Sequence, residues 1–157
     1  EHHLSHFFEI TGILKGTPYL PHGTDVAYSS VLTARLREEI LSREPSRVVF
    51  DRPAYEAAIR KAYTAIADSV IAQQDRLGWY HEDKIDEFVL THTEGIRAIL
   101  SEAPTEAEAR EMVEAVGLSM EELYATYGEA HIEEAIRWAK DLKDRYSVLW
   151  VYGLYYR

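Results

Sequence analysis

The sequence contains no cysteine and only two methionines among its 157 residues, and it has no extended apolar or basic run. Without thiols there is no disulfide framework, no Cys-ligated zinc, no iron–sulfur cluster and no thiol catalysis. Any metal site must therefore use His, Asp or Glu. Positive charge is scarce, with 17 Lys+Arg against 27 Asp+Glu for a formal net charge of −10. A nucleic-acid partner needs clustered Lys/Arg to displace condensed counterions, so the composition argues against one. No segment approaches the roughly 18 to 20 apolar residues that span a bilayer, which argues against a membrane partner. The eight glycines nowhere form Gly-x-Gly-x-x-Gly or a phosphate-binding loop. The opening Glu1-His2-His3-Leu4 lacks both an initiator Met and the features of a signal peptide. The expectation is a cytoplasmic chain cut upstream of residue 1, and its length fits one domain or a piece of a larger protein.

What is present is helical patterning punctuated by Pro and Gly. The expected class is all-α, a bundle of about seven or eight helices forming one domain over residues 1–157. Helices are expected over 2–12 and 23–43, separated by a loop holding Gly12, Gly16, Pro18 and Pro21. Asp51-Arg52-Pro53 reads as an N-cap with early Pro, opening a helix to about residue 75 that Leu77-Gly78 stops. Residues 82–102 read as one helix or a kinked pair, and 104–116 as a short one capped by Gly117. Ser119-Met120-Glu121-Glu122 has capping-box spacing, launching a helix that ends near Gly128. The remainder reads as a helix from 129 to about 143 and a final apolar helix from Tyr146. Arg47-Val48-Val49-Phe50 is the one β-like run, too short to outweigh its surroundings.

Four of the seven histidines lie in the first 22 residues. His2 and His6 are four apart, so a helix puts them on one face, which Glu9 continues. His22 follows inside Pro21-His22-Gly23, at the entrance of the second helix, where unpaired N–H groups favour a polar ligand. Imidazoles from two elements can therefore converge, the minimum skeleton of a divalent metal site with an open position. A surface or hydrogen-bonded role is the ordinary alternative for each. The terminal His2-His3 pair is also compatible with a purification-tag remnant, although a tag rarely flows into an amphipathic run such as Leu4-Ser5-His6-Phe7-Phe8-Glu9-Ile10.

Glu1-His2-His3-Leu4-Ser5-His6, followed by Pro21-His22-Gly23-Thr24-Asp25-Val26-Ala27, resembles the paired histidine motifs of the iron-containing alcohol dehydrogenase superfamily. That superfamily also holds glycerol dehydrogenases and dehydroquinate synthases. Within it, Glu-His-x-x-Ser-His is most similar to the sn-glycerol-1-phosphate dehydrogenases, and Ala139 to Leu149 resembles their closing segment. The resemblance implies the all-helical C-terminal half of a two-domain NAD(P)-dependent oxidoreductase of phospholipid biosynthesis. Its missing N-terminal nucleotide-binding domain would bring NAD or NADP and an Asp ligand, so the fragment alone is expected to be inactive. It also implies a homo-oligomer, and a small-molecule substrate, dihydroxyacetone phosphate or a polyol.

For this chain the resemblance implies that His2 and His22 are ligands of a divalent metal (zinc, nickel or iron). His3 is the second choice for the first ligand. His6 is implied as the catalytic residue, near substrate and nicotinamide and able to relay a proton. The alternatives from other classes are a polyol or alcohol dehydrogenase domain of the same superfamily and a stand-alone helical interaction module with an aromatic C-terminal face.

Other residues have plainer readings. His81-Glu82 lacks the second His of a metalloprotease motif, because Ile85 stands in its place. His92 and His131 read as solvated or capping residues, and Glu38-Glu39, Glu121-Glu122 and Glu133-Glu134 as wet helix faces. Tyr146, Trp150, Tyr152, Tyr155 and Tyr156 read as core or subunit interface. Arg35, Arg37, Lys61 and Arg145 are candidates for a substrate phosphate, with no spacing to single one out.

Overall fold

A computed structural model describes residues 1–80 and 84–155 of the chain. The fold is all-α, as the patterning predicts, with no strand among the described residues. Eight helices of eight or more residues are followed by a five-residue ninth. In chain order they are α1 (His2–Lys15), α2 (His22–Ser42), α3 (Arg52–Tyr63), α4 (Ala67–Leu77), α5 (Lys84–Thr91), α6 (Thr93–Leu100), α7 (Glu106–Ala115), α8 (Met120–Trp138) and α9 (Val148–Tyr152). Single 3₁₀ turns at Thr64–Ile66, Ala139–Leu142 and Gly153–Tyr155 join or extend them.

Helix α1 runs three residues past the expected stop and ends at Gly16, so Gly12 lies inside it. Gly12 stays in the helix because the following loop folds back onto it: a Cβ there would meet Tyr19 Cδ1 at 2.7 Å and the Thr17 carbonyl oxygen at 3.2 Å. The Asp51 side chain accepts from the Ala54 N–H with Pro53 in the first turn, as its sequence predicts. The helix expected to run unbroken from there is interrupted at Thr64, whose φ of 42° forces a 3₁₀ turn before α4. Residues 84–100 form the kinked-pair alternative, with His92 between α5 and α6.

The start of α8 differs in one detail. The box at Ser119 is half made: its side chain accepts from the Glu121 N–H, while Glu122 instead takes the Tyr28 hydroxyl at 2.6 Å. The reciprocal box is at Thr105 and Glu108, one helix earlier. Gly128 breaks α8 as expected, at φ 71° and ψ 155°, a non-helical conformation only glycine adopts freely, so α8 is two helical segments joined across a kink. The second segment ends at Trp138. The 47–50 run forms no strand and lies in the stretch without regular structure between α2 and α3.

The core forms where α1, α2, α3 and α8 meet. Leu4, Phe7 and Phe8 from α1, Tyr28, Leu32 and Leu36 from α2, Ile59 and Tyr63 from α3, and Leu123, Ile132 and Ile136 from α8 are all at most 1% exposed. Burying each large side chain contributes roughly 1.5–3 kcal/mol, so these residues fix how α1 is oriented against α2. The aromatic tail is mostly core: Trp150, Tyr152 and Tyr155 are buried, Tyr146 is exposed, and Tyr156 lies outside the described residues. An aromatic C-terminal docking face is therefore largely used up internally.

A buried polar knot pins the Ala139–Leu142 turn. Fully buried Asp141 accepts from the Tyr80 hydroxyl at 2.7 Å, the Tyr55 hydroxyl at 3.3 Å and Lys140 Nζ at 3.2 Å. Gln74 on α4 donates to the Asp141 backbone carbonyl at 2.8 Å. Burial pushes the Asp141 carboxyl up, against the pull of Lys140 and of the two hydroxyls.

Candidate metal centre

Residues 2, 6 and 9 share a face of α1 because a turn of helix takes 3.6 residues. The loop over Gly12 brings His22 back to that face. It is held by the Leu20 N–H, which donates to the Tyr127 hydroxyl at 2.9 Å, and by Ser5 Oγ, which lies 3.1 Å from His22 Nδ1. The Tyr127 hydroxyl in turn donates to Asp25, at 2.8 Å from each carboxylate oxygen. Tyr127 on α8, the 17–21 loop and the first turn of α2 are thereby tied together under His22.

Three imidazoles converge as a result. The ring centres of His2 and His22 are 5.6 Å apart, those of His6 and His22 5.1 Å, and those of His2 and His6 6.2 Å. Two imidazoles sharing a tetrahedral zinc at Zn–N of about 2.0–2.1 Å stand with ring centres about 5 Å apart, so the set fits one small cation. Glu9 joins it, with Oε2 3.7 Å from His6 Nδ1 and 3.8 Å from His22 Nδ1. The ligand atoms of His6, Glu9 and His22 all lie within 4.8 Å of one another, a set that does not include His2. His2 and His22 are more exposed than His6, at 55%, 44% and 31% of their side chains, so the cluster opens to solvent on the His2 side.

The protonation states suit ligation. The His6 pKa is lowered by burial first, then by the charge of Lys143 and by His22, with Glu9 pulling the other way. Its ring is therefore a neutral donor at neutral pH. His3 is turned away from the cluster. Burial, followed by Lys143, lowers its pKa to about 4, and its Nε2 is buried without a partner. Asp25, 0% exposed, has its pKa raised to about 6 by burial, with the Tyr127 hydrogen bond opposing.

The sequence-derived set thus maps unevenly. His2, His6 and His22 come together, and His3 does not join them. Glu9 was visible on the same face, but Asp25 and Tyr127, 102 residues apart along the chain, carry no local signal of their contact. Lys143 is the basic residue whose charge reaches His3 and His6 most strongly, and it was not among the four phosphate candidates. Of those, Arg35 lies 3.3 Å from the Tyr124 hydroxyl and Arg37 donates to the Pro104 carbonyl at 2.6 Å.

His131, expected to be solvated, instead sits inside. It lies 3.0 Å from Thr11 Oγ1 and 3.1 Å from Glu134 Oε2, against the rings of Phe7 and Phe8. Its aromatic neighbours on α1 come from a helix that the periodicity of α8 alone does not reveal. His92 fits its expected surface role, exposed and stacked on Phe88. His81-Glu82 lies outside the described residues. The acidic pairs are not simple wet faces: Glu39 takes the Tyr152 hydroxyl at 2.6 Å, and Glu38 caps α7 through the Glu106 N–H at 2.9 Å.

No family model, curated protein or solved structure matches this chain. No helix is long and apolar enough to cross a membrane, among the described residues.

Proposed function

We propose that the chain is the metal- and substrate-binding helical domain of an NAD(P)-dependent dehydrogenase that interconverts dihydroxyacetone phosphate and sn-glycerol 1-phosphate. The observation that carries this reading is the convergence of His2, His6 and His22, together with their resemblance in spacing to the dehydrogenase motifs. His2 and His22 hold a divalent cation in this reading, and His6 handles the proton.

A cation there supplies Lewis-acid stabilisation of the negative charge that develops on a ketone oxygen as hydride arrives. The chain's own contribution is positional. Ser5 fixes the orientation of the His22 ring, and the Asp25–Tyr127 pair holds the loop that carries it. His6, held neutral by burial, takes up or gives a proton beside the reacting oxygen. Lys143 provides positive potential on this face for a phosphate-bearing substrate.

A second ligand assignment, with His6 and Glu9 in place of His2, is favoured because their ligand atoms and that of His22 all lie within 4.8 Å of one another. Elemental analysis of protein dialysed against zinc, nickel or iron separates the two. Loss of metal in His2→Ala and His22→Ala but not in Glu9→Gln supports the first, and loss in His6→Ala and Glu9→Gln with retention in His2→Ala supports the second. Metal bound equally by wild type and the His2→Ala/His22→Ala/His6→Ala variant defeats both. The activity itself is tested on the chain joined to whatever its reading frame encodes upstream, assayed with dihydroxyacetone phosphate and with glycerol. Turnover of glycerol alone would replace the phosphate substrate by a polyol.

A further inference from the structure

A groove of about 710 Å³ runs between α2 and α7 and meets the histidine cluster at His2. Its volume is within the range of sites that hold small organic ligands. The walls follow from helical spacing: Ala27, Ser30, Thr33 and Arg37 share one face of α2, and Ala109, Met112, Val113 and Val116 share one face of α7. The two helices run antiparallel. Arg37 donates to the Pro104 carbonyl just before α7 begins, while the Tyr28 hydroxyl accepts from the Ser119 N–H just after it ends. From Ala27 to Arg37 the α2 axis advances about 15 Å at 1.5 Å per residue, so the groove is elongated.

Its middle is apolar and its ends are not. Met112 and Val116 stand 62% and 74% exposed, one turn apart on the α7 wall. The hydroxyls facing them are spent on their own helix, Ser30 donating to the Val26 carbonyl at 2.9 Å and Thr33 to the Ser29 carbonyl at 2.7 Å. Ser147 Oγ is buried beneath the surface and offers nothing to a ligand. At the α1 end, His2 Nδ1 lies 3.4 Å from the Glu1 carboxylate, a pair that can both donate to and accept from a hydroxyl. At the far end, Arg37 makes no ion pair among the described residues. The carboxylates beside it are engaged elsewhere, Glu38 by the Glu106 N–H and Glu106 by Arg110. Its remaining N–H donors form the fork that matches a carboxylate. Glu1 repels an anion at the opposite end, so the charges also set the direction of a bound chain.

We propose that this groove binds a linear aliphatic carboxylate with a hydroxyl at its other end. The carboxylate sits on Arg37, the methylene chain lies along Met112 and Val116, and the hydroxyl reaches Glu1 and His2. With carbon–carbon bonds of about 1.5 Å advancing roughly 1.3 Å each along a zigzag, about twelve carbons span the groove. Binding there does not rest on a metal at the histidine cluster or on the dehydrogenase reading.

The chain has two methionines, Met112 in the groove and Met120, 3% exposed, in the core. Labelling the full chain with ¹³C-methyl methionine therefore gives one reporter and one internal control. The titrations are run in EDTA, so their outcome is separate from that of the metal and dehydrogenase tests. The expected result is a saturable shift of the Met112 methyl with ω-hydroxydodecanoate and a much smaller one at Met120. Dodecanediol, which lacks the carboxylate, binds at least fivefold more weakly, as does the hydroxy acid to Arg37→Gln, and dodecanoate binds at least threefold more weakly. Ala109→Trp fills the groove from a half-buried position on α7 and abolishes the shift while leaving the circular dichroism of the helices unchanged. That variant keeps the test decisive should Arg37→Gln not fold. Absence of a saturable shift in wild type, binding of dodecanediol or dodecanoate as tight as that of the hydroxy acid, or undiminished binding in Ala109→Trp would each overturn the proposal.

Discussion

Replacing Gly12 by Ala sets two effects of known sign against each other at the base of the candidate metal centre. Within a helix, Ala is favoured over Gly by roughly 0.5–1 kcal/mol, because Gly loses more backbone freedom on folding. At this position the new methyl would stand 2.7 Å from Tyr19 Cδ1, 3.0 Å from Tyr19 Cβ and 3.2 Å from the Thr17 carbonyl oxygen. Two of these atoms belong to the root of a side chain and to the backbone, so the rotation of one flexible tip cannot relieve the contact. Overpacking of this kind costs typically about 1–3 kcal/mol. Over most of this range the clash outweighs the propensity gain, for a net loss of up to about 2.5 kcal/mol, centred near 1, or a Tm lowered by a few degrees in a chain of this size.

The consequence also travels. The loop that must move is the one that carries Leu20 onto Tyr127 and His22 onto α1, so Gly12→Ala weakens metal affinity without touching a ligand. Gly23→Ala is the control, since a Cβ at Gly23 meets nothing within 4 Å. Thermal and urea denaturation of both variants, with zinc affinity measured in parallel, give the comparison. A Gly12→Ala protein as stable as wild type and equally tight for zinc would refute the account of how the loop is seated.

Three further outcomes are expected. Tyr28→Phe removes a buried hydroxyl that donates to Glu122 and accepts from the Ser119 N–H, and should cost about 1.5–3 kcal/mol in urea denaturation, with the helix content intact. Asp25 has a folded pKa raised to about 6, so folding disfavours its charged form; stability from this group is full below about pH 4 and declines as pH rises to 6. Asp25→Asn should therefore raise stability at pH 7 by roughly 2–3 kcal/mol and make no difference near pH 3.5, and equal effects at both pH values would contradict the assignment. His3 behaves oppositely. Its folded pKa of about 4 means that stability present above pH 6.5 drains away as pH falls toward 4, and His3→Gln should flatten that acid limb in a thermal-shift series.

How much of this could be read from the sequence depended on the range of the interaction. The all-α class, the Asp51 N-cap and the stop at Gly78 follow from residues within a turn of each other. So does the shared face of His2, His6 and Glu9. The seating of His22 was legible only as a possibility of convergence, because it needs Tyr19 to pack on Gly12 and Tyr127 to reach Leu20 and Asp25. Elements failed where a local rule met a distant partner. Glu122 abandoned its capping box for Tyr28, whereas the break at Gly128, a local glycine effect, falls where the sequence puts it. The break at Thr64 has no signal in Tyr63-Thr64-Ala65, and nothing in the sequence marks the three tryptophans as neighbours.

The central claim is that imidazoles from α1 and from the start of α2 share one cation. Zinc K-edge X-ray absorption on protein loaded at pH 7.5 reads this directly, through the multiple-scattering pattern of coordinated histidine. The account predicts one tightly held zinc per chain with at least two imidazoles in its shell, one of them lost in His22→Ala. A shell of oxygen ligands alone, or one unchanged by that substitution, would contradict it.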